Sequence, residues 1–313
     1  MKFLGIYVGH KTQNKWLMVL CLVLVVWWIF LIRNHAPPRE GFAQDDKFLV
    51  RRQMEMYDTF LAQIYDRIFD PKSLNQSIFD MVEKMTLPDT EKSVLLDAGT
   101  GTGELVQYMN SKGYAHAFGI DQSPDMVAMT MEKYPEVHVK VGDLSLPMTY
   151  DKHTFTHILM TGNTVYHFFD KIQLLRNLYY WLIPHGFLVL QVCDRERFDP
   201  IPSVGKPTTV DSLQSLVRQR VTDTEIDFMD FVYQSTYDFS RASRDNTVLF
   251  QETFTDAHTR NVRQNELTLY MEPLDEILYM AQYAGFLVHG QVNLKESGSH
   301  DEHQFVFILQ RPN

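Results

Sequence analysis

A chain of 313 residues exceeds one average domain, but a single catalytic domain with insertions is the simpler count. Residues 1–40 hold five Lys and Arg against one acidic residue, which leaves 24 basic and 38 acidic residues in the remainder and argues against a surface that tracks nucleic-acid phosphates. Of the two cysteines, Cys21 lies in an apolar run and Cys193 is alone downstream, so no internal disulfide forms in the folded part, and no Cys/His grouping has metal-ligand spacing.

In chain order, an N-terminal tail (1–15) precedes Trp16–Ile32, an uncharged apolar run of about seventeen residues that spans roughly 25 Å as a helix. Without amphipathicity and with Trp27 and Trp28 near one end, it reads as a single-pass transmembrane anchor. The alternative is a cleaved signal peptide, but the small-residue stretch Gly41-Phe42-Ala43 lies too far beyond the run. Lys2, Lys11 and Lys15 before the run against Arg33 and Arg39 after it lean towards a cytosolic N-terminus, which would put the domain in a lumen, but the excess is too small to decide. A linker, 33–46, contains the stiff HAPPREG stretch, and residues 47–313 form the catalytic domain. Asn75-Gln76-Ser77 is a glycosylation sequon.

The domain begins with apolar residues at helical spacing over Phe48–Phe69 and a second helix around Ser73–Met85. Val94-Leu95-Leu96 then makes a buried parallel strand with Asp97 at its carboxyl end, and Gly99, Gly101 and Gly103 follow at alternate positions. Such a turn before a helix seats a carboxylate or phosphate. A second strand, His116–Ile120, ends in Asp121, about twenty residues past the glycines, where a carboxylate accepts both hydroxyls of a ribose. Ser123 and Pro124 read as N-cap and first helical residue. A third strand, Val137–Val141, runs into Gly142 and Asp143, placed to accept from an adenine amino group or to shape a turn.

A fourth strand, Phe155–Met160, delivers Thr161–Phe168 to the sheet's carboxyl edge, with Asn163, Tyr166 and His167 as candidates to orient or deprotonate an acceptor. A loop histidine facing solvent is the alternative for His167. Asp170–Ile183 reads as a helix and Phe187–Cys193 as a fifth strand. From about Asp223 to Tyr270 the pattern switches to alternation, with Val248, Phe250 and Phe254 on one face, as in antiparallel strands. Arg241, Arg244, Arg260 and Arg263 either face an acidic acceptor there or are solvated edge charges. A helix from Pro273 to Gly285 and strands Phe286–Val292 and Gln304–Gln310 complete the sheet.

Four segments, LLDAGTGTGELV at Leu95, FGIDQSPDMV at Phe118, VKVGDLSLP at Val139 and LYYWLIPHGFLVLQ at Leu178, together resemble the class I S-adenosylmethionine (SAM)-dependent methyltransferases. The resemblance covers roughly Tyr57–Arg311. It implies a Rossmann-like doubly wound α/β sheet with the last strand antiparallel and an antiparallel β insertion, about 200–270, over the substrate side. It also implies a SAM site: Asp97, Ala98, Gly99, Thr100, Gly101 and Gly103 around the methionine moiety, Asp121 at the ribose hydroxyls and Asp143 with Leu144 at the adenine, with Gln122 and Met126 also binding the cofactor. Tyr57-Asp58 and Tyr65-Asp66 resemble the N-terminal Tyr-Asp signature of small-molecule members, which makes Tyr65, with Tyr166 and His167, a candidate catalytic group. Where the family commonly has a second glycine, His185 stands in the turn Pro184-His185-Gly186; histidine tolerates the left-handed conformation, so the turn is expected to survive.

A dinucleotide-dependent oxidoreductase also uses a glycine turn and an acid. Its spacing requires Gly or Ala at 104 or 106, where Glu104 and Val106 stand. The expected function is a membrane-anchored SAM-dependent methyltransferase acting on a small molecule, a lipid or a membrane-associated protein, with the catalytic domain on the cytosolic side, where SAM is made. A catalytically silent SAM-binding scaffold is the second reading. A rate limb near pH 6–7 is expected if His167 is a general base.

Overall fold

The computed structural model describes residues 19–25, 27, 44, 46–206, 214, 217, 219–297 and 301–313. The chain divides into two compact units, Met1–Ala43 and Gln44–Asn313. In the first, residues 19–25 are helical and exposed, and the rest of the anchor expected over Trp16–Ile32 lies almost wholly outside the described residues. Among the described residues no helix is long and apolar enough to cross a membrane.

The second unit runs β1 (Phe48–Arg52), α1 (Thr59–Phe69), α2 (Pro71–Thr86), β2 (Val94–Ala98), α3 (Glu104–Ser111), β3 (His116–Asp121), α4 (Pro124–Lys133), β4 (His138–Val141), β5 (Phe155–Met160), α5 (Lys171–Trp181) and β6 (Leu182–Cys193). There follow β7 (Asp223–Asp227), β8 (Phe231–Asp238), β9 (Thr247–Asp256), β10 (Val262–Tyr270), α6 (Leu274–Tyr283), β11 (Leu287–Asn293) and β12 (Gln304–Gln310).

Seven strands form one sheet in the order β11-β12-β6-β5-β2-β3-β4. β2 to β6 are mutually parallel, and β12 enters antiparallel beside β6, as the resemblance implies. Helices cover both faces, so the central strands read as unbroken apolar runs: Leu95, Leu96, Ile158, Leu159, Leu188 and Val189 are all fully buried. The chain leaves β2 towards β4 on one side and returns through β5 to β6 on the other, which opens a crevice at the carboxyl ends of β2 and β5. His185 adopts φ +63° in the β6 turn, as its tolerance for that conformation allows. Gly186 beside it has no such freedom, because a Cβ there would lie 2.9 Å from the Thr156 carbonyl.

The remaining five strands form a second sheet, β1-β10-β9-β8-β7, with β7 to β10 an antiparallel meander. β1 corrects the expected helix over Phe48–Phe69: Phe48–Arg52 pairs in parallel with Val262–Glu266. The edge of β10 has open hydrogen-bonding groups that an extended FLVRR segment satisfies, and Arg52 closes the pairing on Glu266 at 2.8 Å. A single 3-10 turn, Gln53–Met56, follows with Gln53 at φ +50°, and α1 starts only at Thr59, capped by the Asp58 side chain.

Candidate active site

β2 ends at Ala98 and the chain turns through Gly99, Gly101 and Gly103 at φ +85°, +55° and +81°. The Gly99 and Thr100 amides both donate to the Ile120 carbonyl, at 2.9 and 3.0 Å, and pin the turn to the end of β3. The glycines answer different needs. A Cβ on Gly99 would lie 2.5 Å from Thr164 Cγ2 and one on Gly103 2.2 Å from Thr130 Cγ2, whereas at Gly101 nothing lies within 4 Å. Gly101 therefore opens on the cavity, while its neighbours permit close packing.

The cavity holds about 480 Å³. Asp97, Gly99, Thr100 and Gly101 line it from the turn, Asp121, Gln122 and Met126 from the end of β3 and the start of α4, and Asp143 and Leu144 from the loop after β4. Ala98 and Gly103 do not: Ala98 is buried in the sheet and Gly103 backs onto Thr130. Each Asp121 oxygen accepts one backbone amide, from Gly101 and from Ser123, both at 2.9 Å, and keeps lone-pair capacity for ligand hydroxyls. Asp143 turns its own loop by accepting the Ser145 amide at 2.8 Å while it stays on the wall.

Asp97 provides the test of fit for a cofactor. Its Oδ2 accepts from Thr100 Oγ1 at 2.8 Å, whereas its Oδ1 is buried with no partner. Burial pushes the carboxyl up to about 7, against the Thr100 hydrogen bond. A buried carboxylate oxygen left bare is costly, and an ammonium group supplies the missing donor and the balancing charge together. The methionine amino group of SAM is such a donor.

A second cavity of about 450 Å³ abuts the first. Tyr57, Tyr65, Asn75, His167 and Leu267 line both, so the boundary between the cavities is built from α1, α2, the loop after β5 and β10. The Tyr57 and His167 rings lie 5.8 Å apart. His167 is set deep in this boundary, and burial, with the Lys171 charge, lowers its pKa to about 4, below the pH 6–7 limb expected from the sequence. It is a neutral imidazole at neutral pH.

Tyr166 is a correction. Its hydroxyl is fully buried, donating to the Cys193 carbonyl at 3.0 Å and accepting the Cys193 amide at 2.9 Å, so it locks the loop to β6 and is committed away from chemistry. Its ring still lines the second cavity, whereas His167, the last residue of the 3-10 turn Thr164–His167, borders both cavities. The arginines do not face an acceptor; Arg241 and Arg244 are the solvated charges of the alternative reading. Arg241 and Arg244 pair with Asp245, Arg260 sits in the β9–β10 turn, and Arg263 is buried. None of the four lines either cavity.

The two Tyr-Asp pairs divide their work in a way the sequence does not announce. Each tyrosine faces the cavities, and each aspartate fixes α1. Asp58 caps the helix and takes a bidentate pair from Arg263 at 2.9 Å to each oxygen; Arg263 also donates to the Met56 carbonyl. Asp66 accepts from Thr102 Oγ1 at 2.6 Å and pairs with Lys133, which also holds Glu104 at 2.9 Å. Thus α1 is latched to the glycine turn at one end and to the second sheet at the other.

The sequence profile of a methyltransferase domain matches residues 95–186, the stretch from β2 into β6 that supplies most of the first cavity. Residues 95–186 therefore carry a methyltransferase domain. The chain is 29% identical over 167 residues to phosphoethanolamine N-methyltransferase 1 of Zea mays, covering 51% of this chain and 31% of that one. It is 34% identical over 92 residues to demethylmenaquinone methyltransferase of Chlorobaculum tepidum, covering 29% and 37%. The chain thus spans about a third of the length of these curated relatives. A SAM-dependent methyltransferase from Clostridium acetobutylicum shares the fold at a TM-score of 0.60 and 13% identity, covering 81% of this chain and 98% of that one. The CcbJ methyltransferase of Streptomyces caelestis does so at 0.59 and 16%, covering 82% and 99%.

Proposed function

We propose that this chain transfers the SAM methyl group to a small-molecule acceptor seated in the second cavity, and that residues 16–32 tether it to a membrane with the domain on the cytosolic side. The observation that carries the catalytic reading is the shared boundary, where Tyr65, Asn75 and His167 border both cavities. When bound, SAM supplies an electrophilic methyl on a sulfonium. The chain's own residues then bind and orient: Asp97 takes the ammonium group, Asp121 the ribose hydroxyls, and α1 closes the site against water. His167, neutral and weakly basic, orients the acceptor and is a poor match for deprotonating an alcohol. An amine that arrives neutral needs no such base. The relatives named for phosphoethanolamine and demethylmenaquinone methylation support a small-molecule acceptor. The tether rests on the uncharged apolar run of the sequence.

Calorimetry on the full-length protein should show SAM and its demethylated product binding and NAD failing to bind; the reverse result would remove the catalytic reading. Mass-spectrometric screening of extracts incubated with SAM should then reveal a product heavier by one methyl group. For the tether, the full-length protein should stay with membranes through alkaline carbonate washing, and its release would refute a spanning helix.

A further inference from the structure

We propose that the second cavity takes an amine carried on an apolar, phosphate-free body, with the buried carboxylate of Glu252 as counter-charge to the cation that forms; this rests on the methyl-transfer reading above. On β9, alternate residues from Val248 to Asp256 turn inward, and Glu252 among them is wholly buried. Two residues along the same face, Phe250 lines the cavity and stacks on its cross-strand neighbour Tyr237 at 4.5 Å between ring centres. The Glu252 carboxylate is held by the Tyr233 hydroxyl at 2.9 Å and the Asn265 amide at 3.2 Å, one residue row behind the cavity wall.

No neighbouring cation claims this carboxylate as its main partner. Arg263, on β10, gives its two terminal nitrogens to Asp58 and its Nε to Asn265 Oδ1 at 3.1 Å. Burial is the main reason why the hydroxyls of Tyr57, Tyr65 and Tyr237 resist ionisation, and the Glu252 charge adds to it at all three. These tyrosines line the second cavity. Their ring faces attract positive charge; burial raises the Glu252 carboxyl to about 7 against its Asn265 and Tyr233 hydrogen bonds, and a cation at the rings favours its ionised form through a poorly screened medium.

The same walls are unsuited to a phosphomonoester. Among the described residues, Lys206 is the only Lys or Arg lining either cavity, and it faces Asp199 at 3.9 Å, with Asp70 also on the wall. A phosphate dianion requires converging cationic donors. The acceptor therefore differs from the phosphoethanolamine for which some relatives are named. In the transfer, the amine lone pair forms the N–C bond while the C–S pair stays on sulfur. Positive charge thus passes to nitrogen, within the field of Glu252, and the surplus proton leaves to solvent.

The test uses full-length protein saturated with S-adenosylhomocysteine and three probes of similar size: phenyltrimethylammonium, its neutral carbon isostere tert-butylbenzene, and phenyl phosphate. Phenyltrimethylammonium should bind at least tenfold more tightly than either of the others, and Glu252→Gln should erase most of that preference while leaving S-adenosylhomocysteine affinity unchanged. Equal or tighter binding of the isostere or the phosphate, or no binding of any probe to the loaded protein, would overturn the proposal. The wild-type comparison stands even if the variant fails to fold. Failure of S-adenosylhomocysteine itself to bind would instead remove the underlying methyl-transfer reading.

Discussion

The first cavity has a wall built from three strand ends and the turns that follow them, which the second lacks; the second is assembled from α1, α2, the loop after β5, the 198–206 segment and the strands β8 to β10. In the first, spacing along the chain dictates spacing in the site: Asp97 must stand beside Gly99, and Gly101 must meet Asp121, because a parallel β-α-β unit leaves them no other place. In the second, partners lie far apart in sequence, as with Asp58 and Arg263, and only the packed fold brings them together. A locally encoded site can recur on many chains, while a wall drawn from distant segments is free to differ between them.

That contrast can be broken experimentally. The largest expected effect is on the long-range wall. Arg263→Ala leaves Asp58 without its bidentate partner inside the protein and should cost about 3–5 kcal/mol of stability. Denaturant unfolding measures this, and a loss below about 1 kcal/mol would mean that α1 is held by other contacts. The folded fraction of the variant should still bind SAM, because Asp97 and Asp121 are fixed by their own turns.

The next effect sharpens the local side. Asp97→Asn removes the charge that meets the SAM ammonium and should weaken binding by about 1.5–3 kcal/mol, roughly tenfold to a hundredfold in Kd. The pH dependence follows from a folded-state pKa of about 7, raised above the ordinary carboxyl range. The folded state holds this proton more tightly than the unfolded one. The Asp97 contribution to the stability of the unliganded protein therefore falls as pH rises from about 4 through 7. SAM favours the ionised form, so its thermal stabilisation should grow from pH 5.5 to 7.5 in the parent and stay flatter in the variant. Equal slopes would show that Asp97 does not meet the ammonium.

Smaller effects probe the boundary between the cavities. His167→Ala should lower turnover by less than the roughly hundredfold that loss of a general base entails, with the histidine limb near pH 4 instead of 6–7. A limb between pH 6 and 7 that the substitution abolishes would restore the base role. Tyr65→Leu removes one ring face and should cost about 0.5–2 kcal/mol in kcat/KM, with SAM affinity nearly unchanged. An unaltered kcat/KM would make Tyr65 a passive wall.

Legibility in the sequence follows the same division. The sheet and its antiparallel last strand were readable, and nine of the eleven residues expected at the cofactor site line the first cavity, because glycine handedness and strand-end carboxylates are local. The meander was readable too, from Val248, Phe250 and Phe254, although Glu252 breaks the apolar pattern on that same face and carries no local signal of its role. β1 was hidden because FLVRR fits a helix as well as a strand until β10 offers an edge. Tyr166 was misread because its chemistry suits a site, while its partner, the Cys193 backbone, is named nowhere in the pattern.

The sequon residue Asn75 lies inside α2 and borders both cavities. A glycan on its amide nitrogen would occupy the chamber where cofactor and acceptor must meet, so sugar attachment and turnover exclude one another in any single molecule. A peptide carrying sugar at residue 75 would therefore mark a copy that had met the glycosylation machinery and could not turn over.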